Sequence, residues 1–362
     1  MRHSLIAAFG LMSMVLTFAT CSTDFELNQP QVTPVLYGVL DHTADTQWVK
    51  LNKSFLGGGD NYTYAAINDC TEYNNAVITV SEIGGTNRTW TLTETYVPVD
   101  NNSGIFYTDS QKVYYFVASG GLDNSASYDI EVEFDDNTPK VSASTEMIGN
   151  FDFTGLFKAK LFADLELETG SGLASPNYVS NFGVDWNLAS DAKRYDFTIR
   201  FHYVEFNLAG DSVEKHIDWF QGTQKSVLTD GVGSMSHVVN GESFYQFVGQ
   251  HDDLQDLTDI DKRVIKNVEF ILTAGHDELN TYIEVNEPVT GVVTERPTYT
   301  NITNGIGLFS SKASVVLTRA TPARDINLKR NSTEELSQGQ YTGMLLFCSD
   351  SAAYVGEGYH CN

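Results

Sequence analysis

Apolar side chains fall on every second position through long parts of this chain, and a period of two predicts strands. Tyr128-Asp129-Ile130-Glu131-Val132-Glu133-Phe134 alternates apolar with acidic residues, leaving one face to bury and one to wet. The run Ala76 to Ile83 is followed by Gly84-Gly85-Thr86-Asn87 and then by Trp90 to Thr95, which predicts a hairpin. Tyr195, Phe197, Ile199 and Phe201 are expected on one face of a strand, with Arg194, Asp196, Thr198 and Arg200 on the other. Val35–Leu40, Gln47–Asn52 and Val264–Leu272 are also strand-like, although Trp48 breaks strict alternation in the second of these. One helix is expected from near Asp277 through Leu279, Tyr282 and Ile283, with Asp277 as its cap.

Punctuation divides the chain. Residues 33–148 are expected to form an immunoglobulin-like β-sandwich. Residues 149–179 carry Phe151, Phe153 and Phe157 and then Gly170-Ser171-Gly172, and read as a partly packed connecting segment. Beyond it, Val184-Asp185-Trp186-Asn187-Leu188 precedes the Tyr195-led strand. A Trp followed by a turn and a Tyr-x-Phe-x-Ile-x-Phe strand resembles the first half of a fibronectin type III sandwich, and 180–362 is expected to be such a domain elaborated with short helices. The fold class expected is mainly β, with tandem sandwiches. Asn304-Gly305-Ile306-Gly307 supplies the positive φ values a tight turn needs before the apolar strand that follows.

The N-terminal pattern differs. Arg2 and His3 precede an apolar run from Leu5 to Phe18, too short to span about 30 Å of hydrocarbon and shaped as an export signal, residues 1–20. Phe18-Ala19-Thr20-Cys21 resembles the lipobox of bacterial lipoproteins, with Phe18 and Thr20 departing from the usual residues. Lipid attachment at Cys21 is the expectation; ordinary cleavage leaving a thiol is the competing one. Residues 21–32, with Asn28, Gln29 and Pro30, read as a polar tether. Asp24 and Glu26 resemble, in part, the signal that sends Bacteroidota lipoproteins to the cell surface.

Charge narrows the partners. Lys and Arg number 22 against 47 Asp and Glu; removal of Arg2 with the first twenty residues leaves 21 against 47, a net charge of −26. Nucleic acid is disfavoured, because its phosphates would meet a strongly negative surface. The abundance of aromatic residues, 18 Tyr and 21 Phe, argues for real cores and against disorder.

Candidate chemistry is sparse. His251-Asp252-Asp253 with Asp256, Asp259 and Asp261 gathers carboxylates suited to a hard cation, yet the spacing fits no EF-hand loop. Asp252, Asp253 and Asp256 are weak metal candidates, with a solvated acidic turn as the plainer reading. Asp100-Asn101-Asn102-Ser103-Gly104 lacks the closing Glu of a calcium loop, Gly57-Gly58-Gly59-Asp60 lacks the Lys of a phosphate loop, and Ser310-Ser311 lies outside any nucleophile elbow. No catalytic residue and no cofactor is assigned. In an oxidising compartment Cys348 and Cys361 are expected to pair, leaving Cys70 over.

Taken together, Cys21-Ser22-Thr23-Asp24-Phe25-Glu26-Leu27-Asn28, Trp48 to Gly57 and Pro297 to Ser311 resemble uncharacterised Bacteroidota outer-membrane lipoproteins often found beside TonB-dependent receptors. The lipid anchor, the tandem sandwiches and the absent catalytic signature point to a non-enzymatic binding or accessory module held in outer-membrane lipid through Cys21, and the resemblance implies a Gram-negative cell surface with a β-barrel receptor as partner. The alternative is a glycan-binding or glycan-degrading surface lipoprotein, suggested by the aromatic abundance.

Overall fold

The computed structural model describes residues 32–54, 65, 67–98, 110–170, 173, 175–287, 298–321 and 324–361. Cys21, the export signal, the tether up to residue 31, and the Gly57–Asp60 and Asp100–Gly104 segments lie outside the described residues. Among the described residues no helix is long and apolar enough to cross a membrane.

The chain is mainly β and sandwich-like. Its strands in the first half are β1 (Thr33–Asp41), β2 (Thr46–Ser54), β3 (Ala76–Ile83), β4 (Thr89–Thr91), β5 (Thr93–Pro98), β6 (Ser110–Val117), β7 (Ser127–Phe134) and β8 (Val141–Glu146). The second half adds β9 (Phe182–Asn187), β10 (Arg194–Asn207), β11 (Ser212–Lys225), β12 (Ser234–Val239), β13 (Ile260–Gly275), β14 (Ile306–Leu317), β15 (Arg319–Thr321), β16 (Arg324–Asp325) and β17 (Phe347–Cys348). Short helices fill the gaps: α1 (Asn68–Thr71), α2 (Gly155–Lys160), α3 (Gly241–Gln250), α4 (Asp277–Asn286) and α5 (Arg330–Gln338).

A nine-stranded sheet in the order β11-β10-β13-β14-β1-β2-β6-β5, with β17 beside β13, runs through both halves. Over its first half lies a four-stranded sheet, β4-β3-β7-β8, and between them pack Leu36, Leu40, Val49, Ile78, Val80, Tyr128, Ile130 and Phe309. Over its second half lie the β9-β12 pair and helices α2, α3 and α5, closing a core of Phe153, Phe157, Trp186, Tyr195, Phe197, Phe270, Val248 and Leu336. Both cores sit on one face of the sheet. Phe309 belongs to the first and Ala313 to the second, and residues four apart in one strand point the same way.

β14 is the shared element. Its first part, Ile306 to Lys312, runs parallel to β1 from Val35 to Asp41, and its second part, Lys312 to Leu317, runs antiparallel to β13. The close approach to β1 depends on Gly307, whose φ is +124° and where a Cβ would lie 1.9 Å from the Leu36 carbonyl oxygen. Asn304, with φ 58°, makes the turn before it. The sandwich expected over 33–148 is therefore completed from residues 306–312, far outside that span.

Other expectations divide. Tyr195, Phe197, Ile199 and Phe201 are all buried, and the Trp186 ring lies 6.2 Å from both Tyr195 and Phe197. Residues 149–179 are more than a connection, because Phe151, Phe153, Phe157, Leu161, Leu165 and Leu167 enter the second core. The hairpin from β3 returns only through Thr89–Thr91; at Leu92 the chain leaves β3 and crosses to the other sheet as β5. The helix cap is His276, with no side-chain capping bond, and Asp277 stands in the first turn, where a carboxylate meets the positive end of the helix dipole.

Two buried ions pin these layers. Glu82, 1% exposed, accepts from Arg88 (Nη2, 2.7 Å), Thr86 (N, 2.8 Å; Oγ1, 2.7 Å) and Tyr128 (Oη, 3.0 Å). Burial alone would raise its pKa, but these donors outweigh it and hold the carboxyl down at about 2. Arg263, fully buried, donates to Glu205 and to the carbonyls of Leu254, Leu345 and Asp256.

Candidate functional site: an acid-free aromatic face

Among the described residues the second face of the nine-stranded sheet carries no layer comparable to the two cores; α4 lies against it at β14, where the outward Leu308 and Ser310 are buried. Alternation decides what it shows. In β2, Gln47, Val49 and Leu51 point inward while Trp48, Lys50 and Asn52 point out. Gln47 tolerates burial because its amide donates to the Asp41 and Ala44 carbonyls and accepts from the Asp41 amide.

The outward residues form cross-strand rows. Ser310 pairs with Val39, and Trp48 with Tyr115 and onward to Thr93. Leu308, Tyr37 and Lys50 make the next row, beside Val113 and Thr95. Ile306, Val35 and Asn52 make the last, beside Gln111 and Val97. None of these positions is Asp or Glu, in a chain that has 47 of them. The opposite sheet of the same sandwich turns Asp129, Glu131, Glu133 and Glu146 outward. One sandwich thus has an acidic face and one whose three rows around Trp48 hold no acid, with Asp41 beside Lys312 in the row beyond Val39.

Aromatic surface is concentrated on the Trp48 side. Trp48 is 48% exposed, with its ring centroid 5.4 Å from that of Tyr115 at a 39° tilt. Tyr37, 38% exposed, meets Tyr282 of α4 edge to face at 5.9 Å, and the two hydroxyls are 3.1 Å apart. Partial burial, then the bond to Tyr282, pushes the Tyr37 hydroxyl up to about 12, so it stays protonated and able to donate near neutrality. The Lys50 ammonium donates to Gln111 Oε1 at 2.5 Å, so on Gln111 the donor groups are those of its amide nitrogen. The surface can stack a flat apolar ligand face and hydrogen-bond its edges.

A second concavity lies where the two halves meet, a cleft of about 460 Å³ whose lining includes Asn124, Ser125, Glu146, Asn150 and Asp191. The nearby Asp191 carboxylate, then burial, raises the Glu146 pKa.

The residues singled out by sequence lie elsewhere. Asp252 and Asp253 sit in a short 3₁₀ turn after α3, and Asp256 spends its carboxylate on Thr258 (N, 3.0 Å; Oγ1, 2.7 Å). That bonding holds the Asp256 pKa low. Arg263 gathers the Leu254 and Asp256 carbonyls from beneath, so the acidic loop is a structural turn. Among the described residues no three His, Cys, Asp or Glu side chains converge as a metal site. Cys348 and Cys361 form a disulfide, and Cys70 is a free thiol. Ser310 and Ser311 are fully buried; Ser311 donates to the Glu146 carbonyl. Sequence reasoning missed the aromatic face, although its trace was visible: Trp48 spoils alternation because it is a large aromatic on the outward side of β2, among Lys50 and Asn52.

No family model matches the chain, and no curated protein matches it. Among solved structures, the C-terminal globular domain of an oligosaccharyltransferase from Pyrococcus abyssi matches at 10% identity and a TM-score of 0.25, over 66% of this chain and 45% of that one. So weak a likeness bears on neither fold nor function.

Proposed function

We propose that this chain is a lipid-anchored protein of the outer membrane, exposed at the cell surface, that works as a non-enzymatic binding module accessory to a β-barrel receptor. The observation that carries the reading is the segregation of charge: a sandwich acidic on one side presents, on the other, three strand rows around half-exposed Trp48 that hold no carboxylate. A monomer with no ligand gains nothing from holding that much aromatic surface in water. The export signal and Cys21 support the anchor, and residues 21–32 span at most ~40 Å, which keeps the sandwich close to the bilayer. A glycan-binding role is the second reading, favoured by the neutral polar groups that share the aromatic face.

The test uses the full chain in its own membrane. Labelling with a fatty-acid analogue is expected to mark the mature protein at Cys21, and a tagged copy solubilised in detergent is expected to bring down a β-barrel protein. Replacing Cys21 with Ala should abolish the label and cut recovery of the barrel several-fold. An unlabelled mature protein, or recovery of no barrel above an untagged control, would overturn the reading.

A further inference from the structure

We propose that the Trp48–Tyr115 face is a platform for a neutral polysaccharide, with a pyranose ring laid on the Trp48 indole. This rests on the binding-module reading and names its ligand. Three observations select the class. First, the three rows around Trp48 carry no carboxylate and a single ammonium, Lys50, already bonded to Gln111, and in the row beyond Val39 the charges come as an opposite pair, Asp41 beside Lys312. A cationic ligand finds no counter-charge there, and an anionic one is repelled by a molecule of net charge −25. An uncharged ligand remains.

Second, the side chains suit a sugar. A pyranose is amphipathic across its plane, with C–H groups on its faces and hydroxyls at its rim. Trp48 and Tyr115 offer the flat apolar surface, and within one or two cross-strand rows Lys50, Gln111, Asn52 and Thr95 offer donors and acceptors at the height of the rim. The Tyr37 hydroxyl, tied to Tyr282, bounds the platform on the α4 side.

Third, the area is small. Leaving out β14, where α4 packs and Leu308 and Ser310 are buried, the four strands β1, β2, β6 and β5 at about 4.8 Å and three rows at about 6.7 Å enclose roughly 400 Å². A stable protein interface takes about 800 Å² from each partner. An extended glycan, one or two sugar rings wide, fits where a folded partner would overhang.

The experiment is affinity electrophoresis of the full mature chain in detergent, through gels cast with xylan, a mixed-linkage β-glucan, a galactomannan or an α-glucan. At least one is expected to retard the protein. Trp48→Ala is expected to weaken that retardation about tenfold or more, and Tyr115→Ala to weaken it less. Phe220→Ala, which removes an exposed aromatic from the far half of the sheet, should leave it unchanged. Each variant's thermal transition is measured alongside, and Trp48, half in solvent, is expected to be replaceable with little change. Retardation by none of the four glycans, or retardation indifferent to Trp48 and Tyr115, overturns the platform. If the glycans fail while Trp48→Ala cuts recovery of the barrel protein, the face docks protein and the binding-module reading stands. If both glycan and barrel fail, both readings fall.

Discussion

At the scale of single residues, Glu82 carries the sharpest consequence. Its carboxyl is held at about 2 in the folded chain against an ordinary 4.5, so folding favours its ionised form. The stabilisation is complete above about pH 4.5 and drains away as pH falls toward 2, worth roughly 3 kcal/mol at its full extent. Glu82→Gln should therefore lower the urea midpoint at neutral pH and flatten the acid limb of the stability profile. An unchanged acid limb in that variant would contradict the assignment. Arg88 and Thr86 are near in sequence, but their meeting Glu82 under a buried Tyr128, 46 positions away, is not written in a run that reads as an ordinary strand end. The inward and outward sides of Tyr195 to Phe201 were legible, by contrast, because alternation is a property of neighbours alone.

At the scale of elements, the turn before β14 was readable and its purpose was not. Asn304-Gly305-Ile306-Gly307 announces a tight bend in any sequence, but only the register with β1 explains why Gly307 admits no side chain: a methyl group there would strike the Leu36 carbonyl. Gly307→Ala is expected to cost about 3 kcal/mol or more, combining a backbone conformation hostile to Ala with loss of close strand pairing. A thermal melt that moves by less than a degree or two would show that the strands yield more easily than this. The β4-to-β5 crossing at Leu92 escaped the sequence for a related reason. Trp90 to Thr95 has strand character throughout, and composition does not say to which sheet a strand belongs. The aromatic face sat between these cases, visible as a fault in the β2 alternation and intelligible only beside Tyr115 and Tyr37.

At the scale of the molecule, the division at residue 148 separates what the fold joins. Val35 pairs with Ile306, and a periodic pattern holds no information about a partner so distant in the chain. The first sandwich borrows Phe309 for its core and β14 for the edge of β1. A fragment of residues 33–148 should accordingly lack a cooperative unfolding transition, and a permuted version that fuses residues 300–317 ahead of β1 should regain one. Urea unfolding followed by near-ultraviolet dichroism distinguishes them; a sharp transition in the shorter fragment would show that β14 is dispensable.

The parallel pairing of β1 with β14 also determines how the molecule bears load. A pull on the N-terminal side of β1, resisted by the body beyond Leu317, draws two strands lengthwise past each other along seven paired residues. All of their hydrogen bonds are then strained at once, in shear, where a hairpin pulled from its open end would peel one bond at a time. Under the anchoring proposed above, a pull from the N-terminal side would load this strand pair as the mechanical clamp, with Gly307 the residue that lets the clamp close.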